Sequence, residues 1–205
     1  MSLAKIDEAM STYVRHQTYP LAIKMLNSED KIPQNAKRPL RDYRASFTLC
    51  QALALGRRDG LTIVLDKDSQ SCPIALAGLG FVRPEEYLSG KYALAPMNQP
   101  TEAREQAAKA MPKFQFGKFR YILISPIQSA SFDPDVIIFY GSGAQVMRMI
   151  QAAVFASGDS LTSKSTGAGG CLLPIVEPIV EGKCKYAVPG NGERRLGLIA
   201  DGELA

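Results

Sequence analysis

Residues 134–158 read PDVIIFYGSGAQVMRMIQAAVFASG. A β-branched and aromatic run ends, a Gly-Ser-Gly turn follows, and a helix-period segment begins with no linker between them. In that helix Gln145, Arg148 and Gln151 form a polar seam one residue wide, which predicts a helix buried nearly all round. A strand feeding straight into such a helix is a building unit of a layered core of helices and sheet. The chain is thereby constrained to an α+β or α/β fold: a single domain over residues 1–205, with a central mixed sheet flanked by helices.

The remaining segments fit that frame. LAKIDEAMSTYVRH (3–16) places Leu3, Ile6, Met10 and Tyr13 at helical spacing, and YPLAIKML (19–26) reads as a strand with Pro20 at its start or edge. After a polar loop, YRASFTLCQALALGRR (43–58) puts Tyr43, Phe47, Cys50 and Ala54 on one helical face, and LTIVLDK is a short strand. Pro73 opens a short helix to about Leu79. Two more helices are expected, one from RPEEYLSGKYAL and one from PTEAREQAAKAM, whose threonine cap and early acids suit an N-terminus. FRYILIS (119–125) and PDVIIFY (134–140) are strands joined by a loop short enough for an antiparallel pair or an edge crossing. A last short helix is expected near 173–181.

Charge and composition narrow the partners. A net charge of +4 is mild, and the basic residues gather only in KIPQNAKRPLRDYR, which lacks the density of a nucleic-acid stripe. No apolar run reaches the ~20 residues of a membrane span, and the N-terminal stretch is no signal peptide. A cytoplasmic protein is expected, with MSL as a leader and ADGELA as a cut end. The partners expected are a small-molecule or cofactor ligand and, in an oligomer, further copies of the chain, with no nucleic acid and no membrane.

The four cysteines carry the chemistry. A cytoplasmic setting argues against structural disulfides, and no Cys-x-x-Cys or Cys-His spacing announces zinc or a ferredoxin-type cluster. Cys72 precedes Pro73, so it caps a helix whose unpaired N–H groups would favour a thiolate. Cys171 leaves a glycine loop just before the helix carrying Pro174. Cys50 lies on the apolar face of its helix, and Cys184 sits in a polar segment. Each of the four also reads as a small core residue, because free cysteine is commonly buried.

Two glycine-bearing loops are candidate ligand sites. In GSGAQ, the residues Gly141, Ser142, Gly143 and Gln145 stand at a strand-to-helix turn that can aim N–H groups at an anion. Val146 occupies the place of the third glycine of a dinucleotide fingerprint, so that motif fails, and a tight structural turn is the alternative. In SGDSLTSKSTGAGG, Ser163 stands where a P-loop needs glycine before its lysine, and the P-loop fails too. What remains there is a hydroxyl-rich loop with Thr166, Gly167, Gly169 and Gly170, either a ligand clamp or a surface loop. His16 is the sole histidine, read as solvated, which leaves little room for a hydrolase triad.

YPLAIK near the start, CQALALGRRDG and SCPIALAGLGF in the middle, and GNGERRLGLIADGEL late in the chain resemble the uncharacterised prokaryotic domain of unknown function 169 family. The resemblance spans most of the chain and is most specific in the middle block. It implies a cysteine at Cys72 and often one at Cys50, a glycine-containing loop leading to Cys171, and a late element made here by Gly192, Glu193 and Arg194. Where many relatives have a cysteine two residues before that glycine, this chain has Gly190. The resemblance implies no particular activity.

Three functional expectations follow. The first is a ligand- or cofactor-binding site near Cys72, Cys171 and the Gly141–Gln145 turn. In one version Cys50, Cys72 and Cys171 hold a soft metal ion or an iron–sulfur cluster, and Arg194 balances its charge. The second is an enzyme with Cys72 as its catalytic thiol. The third is a structural or interaction protein with buried cysteines.

Overall fold

The strand β1, Leu21–Leu26, is buried at five of its six positions because it lies between two neighbours in a four-stranded sheet. The computed structural model describes residues 2–85, 106, 109–165, 169–199 and 203–205. β2 is Ile63–Leu65, β3 Tyr121–Pro126 and β4 Val136–Ile138, and the order across the sheet is β2-β3-β1-β4. Every pairing is antiparallel, with Ile23 opposite Ile124 on one side and Val136 on the other. The α+β alternative is therefore the one found. The loop after β3 crosses the end of β1, so β3 and β4 flank β1 instead of pairing with each other.

Strand alternation sends one set of side chains to each face. Leu21, Ile23, Met25, Ile63, Leu65, Ile122 and Ile124 join the main core on one face. Leu26, Val64 and Leu123 make a smaller cluster with Ala36, Phe132 and Ile32 on the other. Over the main face lie α3 (Leu49–Asp59), α4 (Pro73–Gly78) and, further along the chain, α6 (Leu173–Glu181). α1 (Leu3–Ala9), which runs into a π turn at Met10–Val14, and the short α2 (Pro39–Tyr43) lie ahead of them in sequence. α3 approaches the sheet closely at Gly56, where a Cβ would stand 3.1 Å from Leu21 Cδ2 and 3.3 Å from Ile124 Cγ2.

α3 begins at Leu49, not near Tyr43 as its hydrophobic spacing suggests. A capping box fixes that start: Gln51 N–H donates to Thr48 Oγ1 at 3.2 Å, and Thr48 N–H donates to Gln51 Oε1 at 2.9 Å. Tyr43 instead ends α2, where Arg44 adopts φ 54, and its ring meets Phe47 at 5.3 Å. Of the two helices expected over residues 83–111, only short stretches fall among the described residues; the rest lies outside them.

A second correction concerns α5, Gly143–Phe155, which follows the two-residue strand β5, Gly141–Ser142. It was expected to be buried nearly all round, yet Val146 is its one buried residue, and Met147 and Phe155 are 53% and 89% exposed. The reason is topological. β5 pairs with β6 (Glu203–Leu204) instead of extending the main sheet, so α5 starts beyond the sheet's edge instead of over its face. Between α6 and β6 comes α7, Asn191–Leu196. Among the described residues no helix is long and apolar enough to cross a membrane.

Candidate functional site

Three helix starts meet at one place, and each brings a cysteine. Cys50 is the second residue of α3, Cys72 is the N-cap of α4, and Cys171 lies one residue before the N-cap of α6. Proline near the start of α4 and of α6 costs no intrahelical hydrogen bond, because first-turn N–H groups are unpaired anyway. The Cys171 and Cys50 side chains line one pocket and act directly on each other, and Cys72 lies near enough for its charge to be felt at Cys171. Cys50 and Cys171 are each 6% exposed, while Cys72 is partly buried. Cys184 is exposed and lies on the other side of α6, beside Lys183 and Lys185.

A fourth helix start supplies a carboxylate that composition and periodicity did not single out. Glu193, in the first turn of α7, is 7% exposed. Its Oε2 accepts the Gly190 N–H at 2.6 Å, and its Oε1 accepts the Cys171 N–H at 3.2 Å. The carboxylate thus ties α7 to the cysteine loop. Gly170 makes room for it, because a Cβ there would stand 2.5 Å from Glu193 Oε2 and 3.0 Å from the Val188 carbonyl. The readable signal was a glutamate three residues after Gly190, the spacing of a capping box.

Tyr140 lines the pocket, and Arg57 packs against its ring from behind. The Arg57 guanidinium lies 4.5 Å from the Tyr140 ring centroid, and Arg57 is 1% exposed. Its Nη2 donates to the Gly197 and Leu198 carbonyls at 3.1 and 2.9 Å, which holds the turn after α7 against α3. Between Cys50, Tyr140, Cys171 and Glu193 remains a void of about 10 Å³. That is close to the minimum that holds one water-sized particle, and far too small for a cofactor of several atoms.

Gln70 adds an unspent donor. The Cys72 N–H donates to Gln70 Oε1 at 2.9 Å, which fixes the amide's orientation. Gln70 is 3% exposed, and its Nε2 has no hydrogen-bond partner among the described residues. An unmet buried donor typically costs about 1–3 kcal/mol.

The electrostatics of Cys72 run against the sequence expectation. The N–H groups of Ala75 and Ile74 do reach its sulfur and favour the thiolate, as a helix start should. Burial outweighs them and pushes the thiol up to about 11, with Cys50 and Glu193 adding to the rise. Cys171 is raised as well, first by its hydrogen bond to Cys50 and then by burial. Burial also raises Tyr140. The expected result is that alkylation of Cys72 by iodoacetamide climbs about tenfold per pH unit from pH 7 toward 11. A rate that levels off below pH 8 would contradict this.

The other candidate residues fall elsewhere. In the Gly141–Gln145 turn the polar groups are committed to structure. Ser142 N–H donates to Gln145 Oε1 at 2.7 Å, and Gln145 Nε2 donates to the Val14 and Arg15 carbonyls at 3.1 and 2.8 Å. The turn adjoins Tyr140, but Gly141, Ser142, Gly143 and Gln145 do not line the cysteine pocket. Gly170 does, whereas Gly169, at φ 81, packs beside Ile74 and Met111. Thr166 and Gly167 lie outside the described residues. Arg194 is on the exposed side of α7, and its neighbour Glu193 faces the thiols in its stead. His16 is partly buried, with Nε2 3.1 Å from Ser11 Oγ, and takes no part in this pocket.

Among the described residues no three Cys, His, Asp or Glu side chains stand so that they could hold a metal ion together. The pair in contact, Cys50 and Cys171, is a two-donor arrangement. The DUF169 family, described as uncharacterised ArCR, matches residues 9–205. The uncharacterized protein MJ0308 of Methanocaldococcus jannaschii is 22% identical over 188 residues, which cover 90% of this chain and 78% of that protein. No solved structure matches. A match that runs from residue 9 to the last residue takes in all three converging cysteines and Glu193, and the chain belongs to the DUF169 family.

Proposed function

We propose that the chain is a cytoplasmic binding protein whose thiol pocket takes a single soft metal ion, with Cu(I) the best match. The observation that carries this reading is the contact between the Cys50 and Cys171 thiols, residues far apart in sequence that meet in a buried pocket. Thiolates select soft ions, and Cu(I) is satisfied by two or three of them. Cys72 stands near the pair without completing a three-donor set, and the room beside the pair suits one ion better than an iron–sulfur cluster. A reducing compartment keeps such thiols available, which is the reason for placing the protein in the cytoplasm.

The chain's own groups have defined parts. Metal binds the thiolate, and the raised Cys171 thiol must give up its proton to an ion, so affinity rises with pH. Glu193 holds the Cys171 N–H and so fixes the cysteine loop. Gln70 Nε2 is the donor available to a thiolate or another acceptor beside Cys72. Protein isolated anaerobically and analysed for copper, zinc and iron tests the reading: close to one soft ion per chain supports it, and iron with equimolar sulfide would replace it with a cluster.

The second reading, an enzyme with Cys72 as nucleophile, draws on the two N–H groups that reach its sulfur. Its raised thiol works against it, because only the thiolate attacks. Rapid, selective alkylation of Cys72 near neutral pH would favour that enzyme.

A further inference from the structure

A second cavity, of about 390 Å³, lies on the far side of α6 from the thiols. Residues 135–139 all line it. Successive strand residues point to opposite faces, so a cavity touching five in a row runs along the strand's edge. β4 is an outer strand of the main sheet, and this is the edge that β1 leaves open. Val146, Met149 and Ile150 of α5 and Pro174 and Pro178 of α6 form the other walls.

The charges at its rim are unequal in their commitments. Asp135 is paired with Lys24 at 2.8 Å. Lys185 lies 2.7 Å from Glu181 and 3.5 Å from Glu177. Lys183 lines the same cavity and makes no salt bridge among the described residues. An apolar cleft with the exposed Lys183 at its rim, whose charge also reaches Glu181 without a direct ion pair, complements a molecule with an apolar body and an anionic end. The volume has room for roughly a dozen non-hydrogen atoms at the ~30 Å³ a liquid water occupies.

We propose that this cavity binds a medium-length aliphatic carboxylate, its chain along β4 between α5 and α6 and its carboxylate at Lys183. The site is distinct from the thiol pocket, with Ala205 the one lining residue common to both. Calorimetric titration with hexanoate, octanoate and decanoate tests it, with decanol as the uncharged control. Affinity is expected to rise about fourfold per added CH₂ up to decanoate, with decanol weaker than decanoate. Lys183→Glu is expected to weaken decanoate at least tenfold while leaving decanol unchanged. Ile150→Trp, at a partly exposed position whose larger ring occupies the cavity, is expected to remove both ligands with an unaltered circular dichroism spectrum. No heat of binding at millimolar ligand would overturn the proposal. So would an affinity flat in chain length, or one untouched by Lys183→Glu.

Discussion

Cys171→Ser and Cys50→Ser are each expected to lower Cu(I) affinity by at least about a hundredfold, and Cys184→Ser to leave it unchanged. The two thiols line one pocket, so each supplies half of a two-donor site that a hydroxyl does not reproduce. Cys184 lies across α6 and serves as the internal control for a thiol with no part in the pocket. Cys72→Ser should fall between them, at about tenfold, because its sulfur lies near the pair without touching it in the same way. A buried hydroxyl without a partner costs stability, so Cys171→Ala and Cys50→Ala provide a second series without that burden. Competition with a chromogenic Cu(I) chelator reads all six variants. Equal affinity across the series would remove the site, and loss on Cys184→Ser alone would move it.

The largest effect on stability is expected at Arg57, which does not itself line the ion pocket. Arg57→Met keeps most of the buried volume and removes the guanidinium that the Gly197 and Leu198 carbonyls accept from and that Tyr140 faces. Hydrogen bonds to a charged group contribute about 1.5–3 kcal/mol, and the Gly197 carbonyl loses its Arg57 donor while the Leu198 carbonyl keeps the one from Arg58. A loss of about 3 kcal/mol or more is expected, which lowers Tm by roughly 6–12 °C in a chain of this length. Arg57→Lys retains the charge without the two-pronged geometry and should recover only part of it. The same guanidinium holds the turn after α7, and Glu193 sits on α7, so Arg57→Met should also weaken ion binding. A change in Tm of under 2 °C would mean that the turn is held by other contacts.

Much of the element order was readable because it is local. Pro73 and Pro174 mark helix starts by what proline cannot do, and β1 and β3 announce themselves by apolar, β-branched runs. The start of α3 was misplaced because Tyr43 and Phe47 continue its hydrophobic period, whereas Thr48 and Gln51 carry the stronger signal of a reciprocal cap. The burial of α5 was misread for a different reason. Periodicity reports how much of a helix is apolar, and only the pairing of β5 with β6 decides what that surface meets. Strand order was not legible, since β1 reaches β3 and β4 across loops whose lengths fit several arrangements.

The cysteine site divides along the same line. That Cys72 and Cys171 stand at helix starts follows from their neighbours in sequence. That Cys50 joins them depends on how α3 lies across the sheet at Gly56, a tertiary fact. Glu193 was named as part of a resemblance, with Arg194 weighed beside it, and its capping-box spacing from Gly190 went unused; the turn of α7 decides which of the two faces inward. The rise in the Cys72 thiol was also hidden, because a helix start argues for a lower value and only the packed structure shows how strongly burial opposes it.

The most direct test of the central claim is a Cu(I) titration of the reduced, metal-free chain against a chromogenic chelator at two pH values. The account predicts one equivalent taken from the chelator, tighter binding at the higher pH, and protection of Cys72 from alkylation once the ion is bound. No uptake at either pH, or uptake of several equivalents indifferent to pH, would contradict it.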